Sequence, residues 1–585
     1  MPITTPPALH YQVEAADLHA HLFRVTLTIQ RPDALQRLSL PVWIPGSYLV
    51  REFAKNLQNL QARQGTQAVA VQQCDKATWE VACKPGRRLV LRYEVYANDA
   101  SVRTASLDAT RGFFNGTSLC LRVEGQTDQP HALEVRAPKS APDWHAATGL
   151  TPTDIDARGF GLYQAVNYDE LVDCPFELGA FWSGEFKACG VPHRFVVAGA
   201  APSFDGARLL ADAKKICETS IRFWHGNKKP PHTRYVFMLN ALDDNYGGLE
   251  HRNSTALICG RRDLPRLGEA KTSEGYTTLL GLISHEYFHT WNVKRLRPAE
   301  FTEYDYSQEN YTELLWFFEG FTSYYDDLLL RRAGLLDEYG YLKLLNKTIN
   351  QVLQTPGRAL QSVAQASFDA WVKYYRQDEN TPNATVSYYT TGALVALCLD
   401  LTLRSEGRSN LDAVMRALWQ RCEAGPMTEI DLLAVLADVG GRDFAPDLAE
   451  WVHGTADLPL QELLKAHGVA VLEEKPQPAQ RLGLRVGESG SLQIKTVLRG
   501  GAAERAGFAA GDEWLGIETP SGDGWRLHKL DDLALYAGPQ RKLIALVSRD
   551  KRLLRLPLTL PDTVTTWRLA LRESKLAHPW LEADA

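Results

Sequence analysis

Residues 283 to 291 carry the pattern that most restricts how this chain can fold, because His285, Glu286 and His289 follow the spacing His-Glu-x-x-His. Two histidines four residues apart lie on one face of a helix, about one turn from each other, so both imidazoles can reach a single metal ion. The glutamate between them projects beside that ion, where it can accept a proton from a water molecule. The pattern therefore predicts a helix here and a metal site on it.

The residues around the motif agree with a helix. Apolar side chains lead into it at helical spacing, and Thr272 or Ser273 could serve as the N-cap. We expect this helix to run from about residue 273 to 294 and to end before Pro298. A second strongly helical stretch follows at residues 311 to 330.

A metal held by two histidines needs a third protein ligand and an open position for water. Glu319 lies among aromatic residues on the second helical stretch, and a glutamate is rarely buried unless it is paired or bound to metal. Gly320 follows it and allows another backbone to come close. Glu313 is the rival ligand, six residues earlier and so on a different helix face. We expect Glu319 to be the ligand.

The motif followed on a second helix by Glu-Gly-Phe resembles the gluzincin metallopeptidases, the thermolysin and aminopeptidase N group. The sequence from His285 to Pro298 resembles that of the glycyl aminopeptidase family, in which such a domain is joined to a PDZ domain. Between His289 and Glu319 lie 29 residues (319 − 289 − 1), more than in aminopeptidase N-like enzymes. A longer connection is what the glycyl aminopeptidase family itself shows. The resemblance covers most of the chain, and it implies one zinc ion per chain.

A glycine-rich segment precedes the motif. Gly247, Gly248, Glu250 and His251 resemble the exopeptidase signature Gly-Ala-Met-Glu-Asn, with histidine in place of the asparagine. In aminopeptidases that segment is an edge strand that pairs with substrate, and its glutamate holds the free α-amino group. Paired glycines allow a peptide to come close, and a buried ammonium ion needs a fixed carboxylate. The alternative is a Gly-Gly turn with a solvated glutamate.

A tyrosine-bearing turn opens a predicted buried helix at residues 387 to 397. In aminopeptidase N-like enzymes, a tyrosine three residues before such a glycine donates its hydroxyl to the tetrahedral intermediate. Tyr389 has that spacing to Gly392, and Tyr388 is the alternative shifted by one residue. A phenol placed there can help to hold a developing oxyanion.

Composition indicates a water-soluble enzyme with three or four domains, since the chain has 585 residues of which 45% are hydrophobic. A net charge of −6 argues against a nucleic-acid binder. No apolar run is long enough to cross a membrane, and the first residues show no secretory signal. The nine cysteines are scattered without a CxxC pair and indicate reduced thiols. We expect a cytoplasmic location, or a periplasmic one if a signal peptide was removed.

Changes of pattern predict a multidomain α+β protein. Residues 1–185 alternate in short strand-like runs and should form an all-β, sandwich-like domain. Residues 186–460 turn to long helices, as expected of a thermolysin-like peptidase domain with a small sheet. A polar, proline-containing linker covers residues 474–480. A C-terminal domain at 475–562 and a tail at 563–585 complete the expected organisation.

The C-terminal domain resembles a bacterial PDZ domain. Leu482, Gly483 and Leu484 match the carboxylate-binding loop, in which backbone N–H groups cup a peptide C-terminus beside a strand edge. Residues 531–536 would be the helix that lines the groove. The domain could equally be a structural appendage without a peptide ligand.

The sequence thus predicts a zinc aminopeptidase for peptides with a free N-terminus. The expected ligands are His285, His289 and Glu319, Glu286 is the general base, and Glu250 binds the amino end. The family resemblance implies a preference for small N-terminal residues, chiefly Gly and Ala. Two alternatives stay open: an endopeptidase whose PDZ domain selects substrate C-termini, and a non-enzymatic PDZ scaffold.

Overall fold

The structure is a computed structural model that describes residues 7–562, 566–571 and 579–582. The first six residues, on which the expectation about a secretory signal partly depends, lie outside the described residues, as does most of the expected tail. The chain divides into two compact units. The first comprises 1–311, 332–335 and 422–427, and the second comprises 312–331, 336–421 and 428–585.

The N-terminal part of the first unit consists mainly of short strands. These are β1 Leu9–Asp17, β2 Leu22–Ile29, β3 Leu35–Ser39, β4 Leu57–Gln64, β5 Gln67–Val69, β6 Val71–Gln73, β7 Thr78–Ala82, β8 Leu89–Tyr96, β9 Ala105–Leu107, β10 Arg111–Phe114, β11 Arg122–Val123, β12 His131–Arg136, β13 His145–Thr148, β14 Thr151–Ile155, β15 Gly161–Ala165 and β16 Phe176–Gly179. Two short helices, α1 Gly116–Leu119 and α2 Tyr168–Val172, interrupt them.

These strands form an eight-stranded sheet, β14-β15-β12-β1-β2-β8-β4-β5, and two four-stranded sheets, β13-β16-β10-β9 and β11-β3-β7-β6. Alternating apolar residues build the core: along β2 every second side chain is buried, as expected of a strand with one face covered. The hydroxyls of the buried Tyr11 and Tyr93 donate to the carbonyls of Leu121 and Leu119, both at 2.6 Å. The expectation of a β-rich N-terminal region is confirmed.

The rest of the first unit holds a five-stranded sheet and two long helices. The elements are β17 Trp182–Ala188, β18 Val191–Ala198, α3 Gly206–His225, β19 Tyr235–Leu242, β20 Gly247–Glu250, β21 Ser254–Gly260, α4 Glu274–Phe288 and β22 Arg297–Pro298. The sheet order is β17-β18-β19-β21-β20, which leaves β20 at an edge, antiparallel to β21. Strand β22 pairs in parallel with the later β23, Pro426–Met427.

The second unit begins with helices. They are α5 Leu315–Arg332, α6 Glu338–Leu353, α7 Val363–Phe368, α8 Thr381–Ala384, α9 Tyr388–Ser405, α10 Leu411–Arg421, α11 Glu429–Gly440, α12 Ala445–Trp451 and α13 Leu460–Ala466. Helix α9 is apolar on nearly all sides and is buried accordingly. Buried hydroxyl-to-carboxylate bonds tie α5 to its neighbours: Tyr324 donates to Asp400 at 2.8 Å and Tyr325 donates to Asp412 at 3.0 Å.

The C-terminal part of the second unit is a small sheet domain with its own hydrophobic core. Its elements are β24 Val469–Glu474, α14 Pro478–Leu482, β25 Leu484–Gly487, β26 Gln493–Val497, α15 Ala502–Ala506, β27 Glu513–Glu518, β28 Gly524–Arg526, α16 Asp532–Ala537, β29 Lys542–Arg549, β30 Arg552–Thr559 and β31 Thr566–Leu571. The main sheet has the order β25-β26-β27-β29-β30, with β28 added beside β27, and β25 is an edge strand.

Two details of this part differ from the sequence prediction. The expected linker at 474–480 is partly ordered into secondary structure, because Pro478 occupies the first turn of α14, where a missing N–H costs nothing. The expected tail contains a strand, since β31 pairs antiparallel with β24 along its length. Among the described residues, no helix is long and apolar enough to cross a membrane.

Candidate active site

Helix α4 carries the His-Glu-x-x-His motif. Ser273 caps its N-terminus, because the Ser273 hydroxyl accepts the N–H of Tyr276 at 3.0 Å. The rings of His285 and His289 lie on one face, with centroids 4.6 Å apart. The helix ends at Phe288 rather than near Lys294, where the sequence predicted its end.

The early end of the helix orients a predicted ligand. The chain turns after Phe288, and the carbonyl of Asn292 comes to lie 2.6 Å from Nδ1 of His289. Nδ1–H therefore donates to that carbonyl, which leaves Nε2 as the nitrogen with a lone pair for a metal. A hydrogen bond of this kind fixes the tautomer and the orientation of a metal-binding histidine.

The opposite face of α4 is anchored by a buried polar cluster. The hydroxyl of Tyr287 lies 2.9 Å from Nε2 of His193 and 3.2 Å from Nε2 of His232. Nδ1 of His193 donates to the carbonyl of Val191 at 2.9 Å, so its Nε2 accepts from Tyr287. Burial lowers the pKa of His193 to about 4, which keeps this imidazole neutral at physiological pH. These bonds fix the rotation of α4 and hence the direction of its metal-binding face.

Glu250 ends the edge strand β20, so the predicted strand is confirmed and the turn alternative is excluded. Its side chain is 4% exposed, and Oε1 has no hydrogen-bond partner in the described part of the chain. A Cβ atom on Gly46, whose φ is +88°, would lie 2.4 Å from that oxygen. Glu250 is thus a buried carboxylate with an unsatisfied acceptor, which is costly unless a ligand supplies a donor.

Gly248 brings the backbone of β20 directly against the predicted general base. A Cβ atom on Gly248 would lie 2.0 Å from Oε1 of Glu286, closer than any real contact. Glu286 itself is 5% exposed. Gly247, one residue earlier, is less restricted, since its Cβ would meet only a nitrogen of Arg103 at 3.8 Å.

A buried ion pair holds the turn that follows Glu250. Nζ of Lys294 lies 2.7 Å from Oδ1 of Asp173, with both side chains nearly buried. The other oxygen of Asp173 accepts the N–H of Arg252 at 3.0 Å, and Nδ1 of His251 lies 3.4 Å from Asp173. Burial alone would raise the pKa of Asp173, but Lys294, followed by His251 and Arg252, holds this pKa well below its usual range.

In the second unit, Glu319 is 2% exposed on α5. Glycines set its surroundings: a Cβ on Gly320 would lie 2.5 Å from Cα of Gly392, so α5 and α9 cross in direct backbone contact. Glu313 is exposed and precedes the first residue of α5, Leu315. The prediction that Glu313 lies on another face of this helix is therefore wrong, and its exposure disfavours it as a ligand.

Tyr389 stands in the first turn of α9, as predicted, after the N-cap Ser387. Its ring stacks on Tyr374 at 5.5 Å and on Tyr388 at 4.8 Å between centroids. Burial, and next the carboxylate of Glu319, raise the pKa of Tyr389 well above its usual value. The phenol of Tyr389 therefore keeps its proton and can act as a hydrogen-bond donor.

Within the first unit, Glu250, Glu286 and His289 have ligand-type atoms within 4.8 Å of one another. The predicted base, the predicted amine anchor and one predicted metal ligand therefore form one cluster.

The predicted carboxylate-binding loop lies at the junction of α14 and β25. Leu482 and Leu484 are buried at 1% and 3% exposure, and Gly483 adopts a left-handed conformation with φ +72°. The N–H of Gly483 donates to the carbonyl of Gln480 at 3.2 Å. This N–H is therefore already used inside the protein rather than directed at a peptide.

The family follows from comparison with known proteins. The sequence model of the Peptidase M61 N-terminal domain matches residues 10–180, and that of the M61 glycyl aminopeptidase matches residues 278–395. A crystal structure of an aminopeptidase N family protein from Idiomarina loihiensis is 38% identical, with a TM-score of 0.93, covering 98% of this chain and 100% of that one. The chain belongs to the M61 glycyl aminopeptidase family. The resemblance inferred from the residues is confirmed.

An M1 zinc metallopeptidase from Deinococcus radiodurans is a more distant structural neighbour of this peptidase. It is 18% identical, with a TM-score of 0.49, and the match covers 77% of this chain and 94% of that one. No curated protein matches the sequence.

Sequence reasoning missed several residues of the site of this peptidase. Gly46 and Asp173 are distant in sequence from the motif, and no local pattern links them to Glu250. Tyr374 is one of 22 tyrosines and precedes the recognised turn. Asn292 contributes through its carbonyl, which any residue could supply. Lys294 belongs to a short basic run with Arg295 and Arg297, and charged residues are usually solvated, so its burial could not be expected from the sequence.

Proposed function

We propose that this M61 peptidase is a zinc-dependent aminopeptidase that releases N-terminal residues, chiefly Gly and Ala, from peptides. The observation that carries the proposal is the buried Glu250 at the end of an edge strand, whose Oε1 has no hydrogen-bond partner within the described ranges. This carboxylate shares a cluster with Glu286 and His289. A buried anion beside a catalytic carboxylate suits a substrate that brings its own positive charge.

The proposed ligands of the metal are His285, His289 and Glu319. Two imidazoles and one carboxylate are a donor set typical of catalytic zinc, which keeps a fourth position open. The fixed tautomer of His289 supports this assignment, because its Nδ1 donates to Asn292 and Nε2 is left for coordination. A zinc ion held there supplies Lewis-acid chemistry, which makes water acidic near neutral pH and polarises a carbonyl group.

The chain's own residues then move the protons. Glu286 accepts a proton from the attacking water and delivers it to the leaving amine. Tyr389 donates its phenolic hydrogen to the oxyanion of the tetrahedral intermediate, a role that its raised pKa supports.

Glu250 accepts hydrogen bonds from the substrate's α-ammonium group and so sets the cut one residue from the amino end. The substrate backbone lies along the free edge of β20, and Gly247 and Gly248 leave room for it. Gly46 packs directly against the carboxylate of Glu250 and so closes the site beyond the α-amino group. A substrate with additional residues before the cleaved one would not fit.

The C-terminal sheet domain at residues 475–562 is proposed to be of the PDZ type. Support comes from the order of its elements, with an edge strand β25 directly after the Leu482-Gly483-Leu484 segment and a helix α16 at residues 532–537. The buried N–H of Gly483 does not favour that segment as the cup for a peptide carboxylate.

Metal analysis combined with a panel of aminoacyl-amide substrates tests the proposal. We expect about one zinc per chain, loss of hydrolysis after chelation, and fastest release of Gly and Ala. Glu286→Gln should keep the zinc and lose several orders of magnitude in turnover, because an amide cannot relay the proton. Preparations that lack a divalent metal and stay active after chelation would disprove the metal mechanism.

A matched pair of variants tests the third ligand. Glu319→Ala should lose zinc, whereas Glu313→Ala should retain it, since Glu313 is exposed and precedes α5. The opposite result would move the ligand to Glu313. Hydrolysis of a substrate with a blocked amino group as fast as its free counterpart would favour an endopeptidase.

A further inference from the structure

A cleft of about 480 Å³ in the second unit is lined by four arginines, Arg358, Arg481, Arg499 and Arg505. Its described lining residues include no acidic side chain. One wall is formed by the end of α6 and the turn after it, and the other by the segment from α14 to α15. The protein as a whole carries a net charge of −6. Such a concentration of positive charge in an acidic protein marks a place that attracts anions.

Two of the arginines, Arg481 and Arg505, are held in place by main-chain oxygens. Nε and Nη2 of Arg481 donate to the carbonyl of Pro561 at 3.1 and 2.8 Å, and Nη1 of Arg505 donates to the carbonyl of Gly500 at 2.5 Å. A guanidinium group has five N–H donors, so most of them stay available on both side chains. Fixed guanidinium groups lose little freedom when they bind an anion.

The charge of these groups is largely uncompensated. Arg358 pairs with Asp457, whereas Arg481, Arg499 and Arg505 form no ion pair with a carboxylate in the described part of the chain. Glu504, the carboxylate next to Arg505 in sequence, instead accepts the N–H of Gly500 at 2.6 Å.

The arginine cleft adjoins a second cleft of about 810 Å³, lined by β25 and by the amide side chains of α6. Asn350 and Gln354 line both. In the second cleft, Oδ1 of Asn346 and Nε2 of Gln354 are buried atoms without a hydrogen-bond partner among the residues that the structure describes. An elongated ligand with amide groups would satisfy them.

Asn350 shows how an amide on this helix face binds an extended chain. Its Nδ2 donates to the carbonyl of Trp567 at 2.7 Å, and its Oδ1 accepts the N–H of Trp567 at 2.9 Å. Asn346 and Gln354 lie one turn before and after it, about 6 Å along the helix. That spacing is close to the roughly 6.6 Å between alternate residues of an extended peptide.

We propose that the arginine cleft binds the C-terminal carboxylate of a peptide whose extended chain lies in the adjoining amide-lined cleft. The carboxylate meets the guanidinium donors of Arg481, Arg499 and Arg505, not the N–H of Gly483. Free phosphate has the same hydrogen-bonding chemistry and is the other source of such an oxyanion. The site is separate from the proposed zinc site and does not depend on it.

Calorimetric titration of the full-length, metal-loaded Glu286→Gln protein tests the site. The ligands are an N-acetylated peptide as free acid, the same peptide as C-terminal amide, and inorganic phosphate. Acetylation removes the amine that Glu250 is proposed to bind, so failure of the zinc-aminopeptidase proposal leaves this test intact. We expect the free acid to bind at least about tenfold more tightly than the amide. Its affinity should fall as the salt concentration is raised.

Paired variants identify the residues. Arg499→Ser with Arg505→Ser should reduce affinity for the free acid about tenfold or more, because both side chains are exposed and line the cleft. Arg526→Ser with Arg552→Ser removes two exposed arginines of the same domain outside the cleft and should leave it unchanged. If only phosphate binds, and this binding is lost in the Arg499→Ser, Arg505→Ser variant, the ligand of the site is phosphate and not a peptide. Equal binding by both double variants, or no binding, would overturn the site.

Discussion

A Cβ atom placed on Gly248 would lie 2.0 Å from Oε1 of Glu286, and this closeness ties the edge strand to the proposed general base. Gly248→Ala should therefore push the Glu286 carboxylate out of position. Because misplacement of a catalytic group by about 1 Å can cost around a hundredfold, we expect kcat to fall by about that factor or more. Zinc content should stay the same, since Gly248 touches no proposed ligand in this contact.

Gly247→Ala is the matched control. It lies on the same strand, and its added Cβ would meet only Arg103 at 3.8 Å. Its kcat should stay within a few-fold of the parent, and its effect should fall on KM, because Gly247 is proposed to leave room for the substrate and does not contact Glu286. Equal losses of kcat in both variants would show that the strand tolerates no side chain at either position. Displacement of Glu286 would then not be the cause of the loss.

The proposed contact of Glu250 with the substrate amine is tested by removing either partner. A charge-assisted hydrogen bond is worth about 1.5–3 kcal/mol, so Glu250→Ala should lower kcat/KM toward Gly- and Ala-initiated substrates by about one to two decades. Zinc content should not change. Acetylation of the substrate amine should harm the parent enzyme much more than the variant.

Measuring both enzymes on both substrates gives a double-mutant cycle between Glu250 and the amine. A coupling energy near zero would remove Glu250 from the amine site and would favour the endopeptidase. Glu250→Gln sharpens the result, because it keeps the shape and loses the charge.

Phenylalanine substitutions can show which of the neighbouring residues Tyr389 and Tyr388 donates to the oxyanion. Tyr389→Phe should lower kcat by about a hundredfold or more, the usual effect of removing one oxyanion donor, with KM and zinc content little changed. Tyr388→Phe should have a small effect on kcat. A fall in kcat confined to Tyr388→Phe would identify Tyr388, instead of Tyr389, as the oxyanion donor.

The sequence predicted the elements that carry the site because their signals are local. The N-cap Ser273, the motif helix and the tyrosine-bearing turn before α9 each depend on residues within a few positions of one another. The glycine after Glu319 likewise signalled a close backbone approach, and α5 meets α9 at Gly320 and Gly392.

What the sequence could not predict is set by contacts between distant segments. The predicted end of α4 is six residues too late. The helical pattern of apolar residues continues past Phe288, whereas the turn closed by His289 and Asn292 has no signal in local residue preferences. The packing of Gly46 against Glu250 joins segments about 200 positions apart. The use of the Gly483 N–H by Gln480 depends on a short helix inside a stretch that reads as a linker.

The buried pair of Asp173 and Lys294 should dominate the stability of the turn after Glu250. Their charged atoms are 2.7 Å apart, and the side chains are 11% and 6% exposed. Removal of one partner of a buried pair leaves an uncompensated charge and typically costs about 3–5 kcal/mol. We therefore expect Lys294→Met and Asp173→Asn each to lower the free energy of unfolding by about that amount, and the double variant to recover part of the loss.

The pH dependence of this contribution has a definite sign. Burial raises the pKa of Asp173, but Lys294, His251 and Arg252 lower it further, so the folded pKa lies well below the unfolded value of about 3.9. The stabilisation is therefore fully present above about pH 4 and is lost as the pH falls from there toward the folded pKa. Thermal unfolding of the parent and of Asp173→Asn between pH 7 and pH 3 checks this. The difference in Tm should be constant down to about pH 4 and should narrow below it; a difference that widens on acidification would mean that Asp173 is protonated in the folded protein and that the pair is not ionic.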